Sequence, residues 1–399
     1  MTKESSFPAL KIVFYLTFLC VIGCSRQDPS DLFSVAWESV PAIVHYSDHP
    51  LPPPWQYRID LEIGSESGAE EYMLRSPFVI TVLPGGSIVI GDDKPLQLRV
   101  YDLQGNHVAS FAQPGGGPGD LTPSHFGWLM RPAGERSFQL WSGWPLRMQE
   151  WSESGQLLSV ETINTSHPIM QGLTPRTIGF IEDELFWVSS SSRRDSEDRS
   201  IITSHVLVGD IQGTAVDTLT SILHDPMPTM YQMVLQFGLD SAFLLKDQVL
   251  MARGNRCYVA SHLEDWITEI DLQRSLPVSR FQWVHEPDSI PESAEESVRE
   301  RFDESGLELM VEGLTWLQER VSLLGIAEGP DGQILVQRTG EPVNDLWPTD
   351  VFSADGEYLG RVMLPIEPRT AVVRGRNLFG LGTSQGIPVI RVLEIALPQ

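Results

Sequence analysis

What most constrains the fold is one short phrase that recurs along the chain: a strand, a tight polar turn, a second strand. Its clearest copy is Gln97-Leu-Arg-Val-Tyr-Asp102-Leu-Gln-Gly105-Asn-His-Val-Ala-Ser-Phe111. Apolar and β-branched residues flank the turn. The Asp side chain can hydrogen-bond the turn backbone, and the glycine supplies a positive φ. The phrase returns at Met148–Val160 around Gly155, at His205–Gly213, and at Thr349–Val362 around Gly356. A degraded copy, Trp266–Arg274, has arginine in the glycine's place. Internal repetition on this scale marks an architecture of stacked units.

The fourth turn positions are 105, 155, 213, 274 and 356, with spacings of 50, 58, 61 and 82 residues. Upstream of two copies lies a second hairpin, Ile80–Ile90 around Gly85-Gly86 and Gly325–Val336 around Asp331-Gly332. Four strands per unit, without a helical period between them, describe a propeller blade. The sequence therefore predicts an all-β six-bladed β-propeller of four-stranded antiparallel blades. Five blades fall near 75–113, 124–163, 173–222, 245–285 and 322–365. A sixth is built from strands at 370–374, 377–381 and 388–395, with 56–63 as its outer strand. That N-terminal strand closes the ring and removes an open sheet edge. The 82-residue spacing holds a helical insertion near 293–320: Ser293-Ala-Glu-Glu296 forms a capping box, and Met310, Leu314, Leu317 and Val321 share one helix face.

The N-terminus sets the compartment. Lys3 and Lys11 precede an apolar run, Ile12 to Ile22, of 11 residues. A membrane-spanning helix needs about 20, so the run fits the core of a secretory signal. It ends in Val21-Ile22-Gly23-Cys24, which resembles the bacterial lipobox. By that resemblance residues 1–23 are a lipoprotein signal peptide and Cys24 is the lipidated first residue of the mature chain. Residues 24–54, ending in His49-Pro-Leu-Pro-Pro-Pro54, are expected to be a tether, and 55–399 the propeller. Ser25 after the cysteine points to the outer membrane of the cell envelope, facing periplasm or surface. Of three cysteines, Cys20 leaves with the signal and Cys24 carries lipid. Only Cys257 remains, so neither an internal disulfide nor a cysteine metal site is expected. Its apolar setting, Arg256-Cys-Tyr-Val-Ala, predicts a buried small hydrophobe.

Charge excludes one class of partner. The chain carries a formal charge of −25, with no cluster of Lys and Arg, so nucleic acid is not an expected partner. The expected partners are the membrane, through lipid, and an envelope protein, peptide or glycan.

Arg99–Gly105, the loop Gln113-Pro-Gly-Gly-Gly-Pro-Gly-Asp120 and the terminal run Gly386–Ile395 together resemble the six-bladed β-propeller lipoproteins. These are NHL-repeat-like propellers of Bacteroidetes-type bacteria, and the resemblance spans 55–399. It implies a fold; most such proteins have no assigned reaction.

The chemical motifs are sparse. The Gly115–Gly119 loop lacks the Lys-Ser/Thr of a phosphate cradle and opens no helix, so it reads as an inter-blade turn. Nine histidines are scattered without i, i+4 or His-x-His spacing, and no G-x-S-x-G elbow is present. Among eleven tryptophans, Trp128, Trp141 and Trp151 read as core packing. Trp144, between Gly143 and Pro145, is the candidate for a ligand platform. No catalytic or metal-binding residue and no cofactor is expected. The predicted function is binding or scaffolding; the alternative is a lactonase-like hydrolase or lyase with channel-bound Ca²⁺.

Overall fold

The computed structural model describes residues 40–46, 51, 53–121, 128–142, 147–162, 174–181, 184–194, 200–210, 216–223, 248–253, 255–261, 266–271, 274, 276–284, 323–338 and 342–396. The first sheet is β3 (Pro77–Val82), β4 (Ile88–Asp93), β5 (Leu96–Tyr101) and β6 (His107–Phe111). The second is β7 (Leu129–Gly134), β8 (Ser137–Ser142), β9 (Arg147–Ser152) and β10 (Leu157–Thr162). A third follows as β11 (Thr174–Ile181), β12 (Glu184–Arg194), β13 (Ser200–Asp210) and β14 (Val216–Leu223). The fourth contains β15 (Gln248–Arg253), β16 (Arg256–Ser261), β17 (Trp266–Asp271) and β18 (Leu276–Val284). Then come β19 (Leu323–Glu328), β20 (Ile334–Arg338), β21 (Trp347–Phe352) and β22 (Tyr358–Leu364). The last sheet joins β23 (Val372–Arg374), β24 (Asn377–Ser384) and β25 (Ile387–Ala396) to β2 (Gln56–Ile63), which pairs antiparallel with β25.

This is the β-propeller plan, and the last sheet is completed by the strand expected to complete it. Two expectations are corrected. Six equal four-stranded blades do not form: five sheets have four strands, and the fourth sheet has five. Its extra strand, β1 (Ala42–Tyr46), lies parallel to β18. The second correction follows, because part of the segment expected to be a free tether up to Pro54 belongs to the sheets. Ala-Ile-Val-His-Tyr is a good strand sequence, and the edge of β18 offers unpaired backbone groups to it. The described residues contain no α-helix, only 3₁₀ turns such as Glu70–Tyr72 and Pro368–Thr370. The expected helical insertion at 293–320 lies outside the described residues.

The recurring phrase folds the same way wherever it is described. Gly105 N donates to Asp102 O, Gly155 N to Ser152 O and Gly356 N to Ser353 O, each at 3.0 Å. The first turn residue also caps the turn with its side chain. Asp102 Oδ1 accepts from Asn106 N (2.8 Å), Ser152 Oγ from Gln156 N (3.0 Å) and Ser353 Oγ from Glu357 N (3.0 Å). The three glycines have φ of 82°, 87° and 83°.

Each turn rests on the last antiparallel strand, β2, β6 or β18, of the sheet before it. A Cβ on Gly105 would meet Leu61 Cδ1 at 3.0 Å; one on Gly155 would meet Phe111 Cδ1 at 2.7 Å. On Gly356 it would meet Phe281 Cδ1 at 2.7 Å. The glycine is thus required by conformation and by contact together.

The core is a series of layers, each filled from two consecutive sheets. Ile80, Ile88 and Tyr101 of the first sheet pack with Phe379, Ile390 and Val392 of the last. Val89, Leu98 and Val100 meet Met130, Phe138 and Trp151 of the second. Similar layers join the fourth sheet to the fifth and the fifth to the last.

Candidate functional site

Buried polar groups are the first place to look for chemistry. Three residues before each described turn, on the third strand of its sheet, stands a buried polar side chain: Arg99, Gln149, Thr268 or Asp350. Arg99 and Asp92 form an ion pair at 3.2 Å with almost no solvent contact. Arg99 also donates to Glu70 O (2.8 Å), and Asp92 accepts from Ser76 N (2.8 Å). Gln149 Nε2 donates to Asp120 O (2.9 Å). In the last sheet Arg391 takes the same role, donating to Pro365 O (2.6 Å) and pairing with Glu62 (2.7 Å). Arg99, Gln149 and Arg391 each hold carbonyls of the loop that crosses into the first strand of their own sheet. Asp350 pairs with Arg361 (2.8 Å) on the adjacent strand. Glu153 bonds Arg136 and Ser87, tying the second sheet's turn to the first sheet. Burial alone would raise the Glu153 carboxyl, but Arg136 and Ser87 bring it below its ordinary value. These groups hold the scaffold; none faces another as nucleophile and base.

The glycine-rich loop Gln113–Asp120 folds on its own carboxylate. Asp120 Oδ2 accepts from Gly117 N at 2.7 Å, and a Cβ on Gly115 would collide with that carboxylate. A backbone concavity that could have held a phosphate is filled from within, which agrees with an inter-blade turn.

Beside this loop lies an open groove of about 360 Å³, lined by Gln113, Pro118, Gly119, Trp151, Gly155 and Leu157 among others. A matching groove of about 370 Å³ lies one junction earlier, against Leu61, Ile63, Ser65, Tyr72, Gln104 and Gly105. Each is bounded by the end of one outer strand, the crossing loop, and the glycine turn of the next sheet. Both linings mix apolar side chains with polar groups, including the carboxylates of Glu62 in one and Asp120 in the other. Such a surface can bind; of its carboxylates, Asp120 is engaged by Gly117 N and Glu62 by Arg391.

The residues singled out from sequence fare unequally. Cys24 and Trp144 lie outside the described residues. Trp128, Trp141 and Trp151 are buried, with Trp128 edge-on to Phe78 at 4.8 Å and Trp151 5.1 Å from Phe111. Cys257 is fully buried on β16, and burial pushes its thiol up to about 12. Among the described residues no three His, Cys, Asp or Glu side chains gather into a metal-holding group. The grooves were missed by sequence reasoning, although the signal for their walls, the repeated turn glycine, was in view.

A protein of Bacteroides fragilis given as exported matches with a TM-score of 0.50 at 10% identity, over 90% of this chain and all of that one. The likeness is one of fold. A luciferin-regenerating enzyme matches at 9% identity and TM-score 0.42, over 81% of this chain and 92% of the other. A streptogramin B lyase matches at 10% identity and TM-score 0.40, over 85% and 98%. No family model and no curated protein matches the sequence.

Proposed function

We propose that the chain is an extracytoplasmic lipoprotein, lipidated at Cys24 and held on the outer membrane, whose propeller binds or scaffolds a protein, peptide or glycan of the envelope. The last sheet is shared between the chain's two ends, β2 pairing with β25. The Bacteroides fragilis protein of similar fold is given as exported, which supports a location outside the cytoplasm. One observation carries the binding reading: the same kind of groove, lined by apolar and polar side chains together, recurs at two successive sheet junctions. Meanwhile the buried polar groups at those junctions, Arg99 and Gln149, are engaged in holding the crossing loops.

The test is photo-cross-linking in the native envelope from a probe at Gln113, with a probe at exposed Arg274 as control. A discrete partner captured from Gln113 alone, and lost when the groove is filled by Gly119→Leu, supports the reading. Equal capture from both positions sinks it. Ca²⁺-dependent lactone hydrolysis by the purified chain would replace it with the enzymatic alternative.

A further inference from the structure

The compact propeller begins at Val40, well before the first strand expected from sequence. Val40 is buried, Pro41 O accepts from Arg280 N (3.0 Å), and Ala42–Tyr46 runs in register with Arg280–Val284. Ile43 packs against the layer containing Tyr258, Ile267 and Phe281. Farther on, Trp55 is buried in the layer of the fifth sheet, and its Nε1 donates to Gln333 Oε1 (2.7 Å). Gln56–Ile63 then enters the last sheet. Residues 40–46 and 55–63 are therefore fastened to three consecutive sheets in turn, as a strap.

This changes where an anchor at Cys24 would pull. A leash running to Gln56 could extend at most about 110 Å, whereas one ending at Ala42 reaches at most about 60 Å. Even fully extended, the shorter leash cannot wrap half-way round a domain with a radius of gyration of about 20 Å, whereas the longer one could. We propose that docking of 40–46 on β18 makes the outer rim of the fourth sheet the side of the propeller that faces the lipid bilayer. The inference rests on the lipid-anchor reading of Cys24, and its test separates the two.

The mature chain is coupled through Cys24 to a maleimide lipid in neutral phosphatidylcholine vesicles carrying a headgroup quencher, so orientation is read whether or not cells acylate the residue. A fluorescent amino acid is placed at Arg274, in the turn before β18, or at Val108, on the outer strand of the first sheet. Stronger quenching at 274 than at 108 is expected. That difference should vanish in Ile43→Asp, which frees the strap, and in a chain with a flexible Gly/Ser insertion after Gln27, which keeps the strap docked and lengthens the leash. Equal quenching at the two positions, or a difference that survives the insertion, overturns the proposal. Palmitate labelling of the wild type in cells, lost in Cys24→Ala, tests the anchor reading independently.

Discussion

Gly155, in the turn of the second sheet, sits on the ring of Phe111, on the outer strand of the first. Its φ of 87° and the 2.7 Å approach of a notional Cβ make it a joint between sheets as well as a turn residue. Gly155→Ala should therefore cost more than the 1–2 kcal/mol or so of a left-handed backbone, because Phe111 must also move. Gly375, with φ of 60° and open space around it, should show only the backbone cost when changed to Ala. Gly116, in open space and outside the left-handed region, should be near neutral. Chemical denaturation of the three variants reads the ranking. Equal costs at 155 and 375 would refute the joint.

The buried pair of Arg99 and Asp92 leads to a second prediction. Removing one member of such a pair leaves an uncompensated charge, at a cost of about 3–5 kcal/mol. Arg99→Met also releases the carbonyls of Glu70 and Met73. It should be strongly destabilising and should speed proteolysis within 64–76. Arg58→Met, at an exposed pair with Asp60, is the control, expected within about 1 kcal/mol of wild type.

How much of this was legible follows from where the information sits. The turns at Gly105, Gly155 and Gly356 are local: turn chemistry and strand alternation specify them, so the sheet limits could be read closely. Pairing of 56–63 with the last strands was legible because a four-stranded unit was visibly short of one member. β1 was not, since nothing within Ala42–Tyr46 encodes a parallel partner at 280–284; only the assembled edge of β18 creates the site. The roles of Arg99, Gln149 and Arg391 were hidden for a related reason. A side chain three positions before a turn reveals its purpose only when a distant loop arrives over it. The grooves depend on those same loops.

Alkaline pH gives a third prediction. Burial raises the Cys257 thiol from 9.0 to about 12 and, chiefly by the same desolvation, the Tyr101 hydroxyl from 10.0 to about 12. Both protons are held more tightly in the folded state than in the unfolded one. Their contribution to stability is thus complete below pH 9 and is lost as pH rises toward 12. Denaturation midpoints should fall across that window, less steeply in Cys257→Ala. Below it, the thiol should resist iodoacetamide until the protein unfolds; rapid alkylation of native protein at pH 8 would contradict its placement.

The last prediction separates the strap from the closing strand. A chain starting at Pro53 lacks β1 but keeps Trp55 and β2. It should fold and keep the association state of the longer chain, losing the burial of Val40 and Ile43 and the parallel pairing on β18. A chain starting at Ser65 lacks β2, so β25 becomes an open edge, and Phe379, Ile390 and Val392 lose the cover of Leu61 and Ile63. An exposed apolar edge recruits other strands, so this chain should aggregate. A synthetic peptide spanning Trp55–Ile63 offers the missing backbone partners and apolar face in trans, and should restore monomer in proportion to its occupancy. Light scattering with and without peptide decides the matter. If the shorter chain is monomeric unaided, the edge is covered by something other than β2, and the shared last sheet is not what closes the propeller.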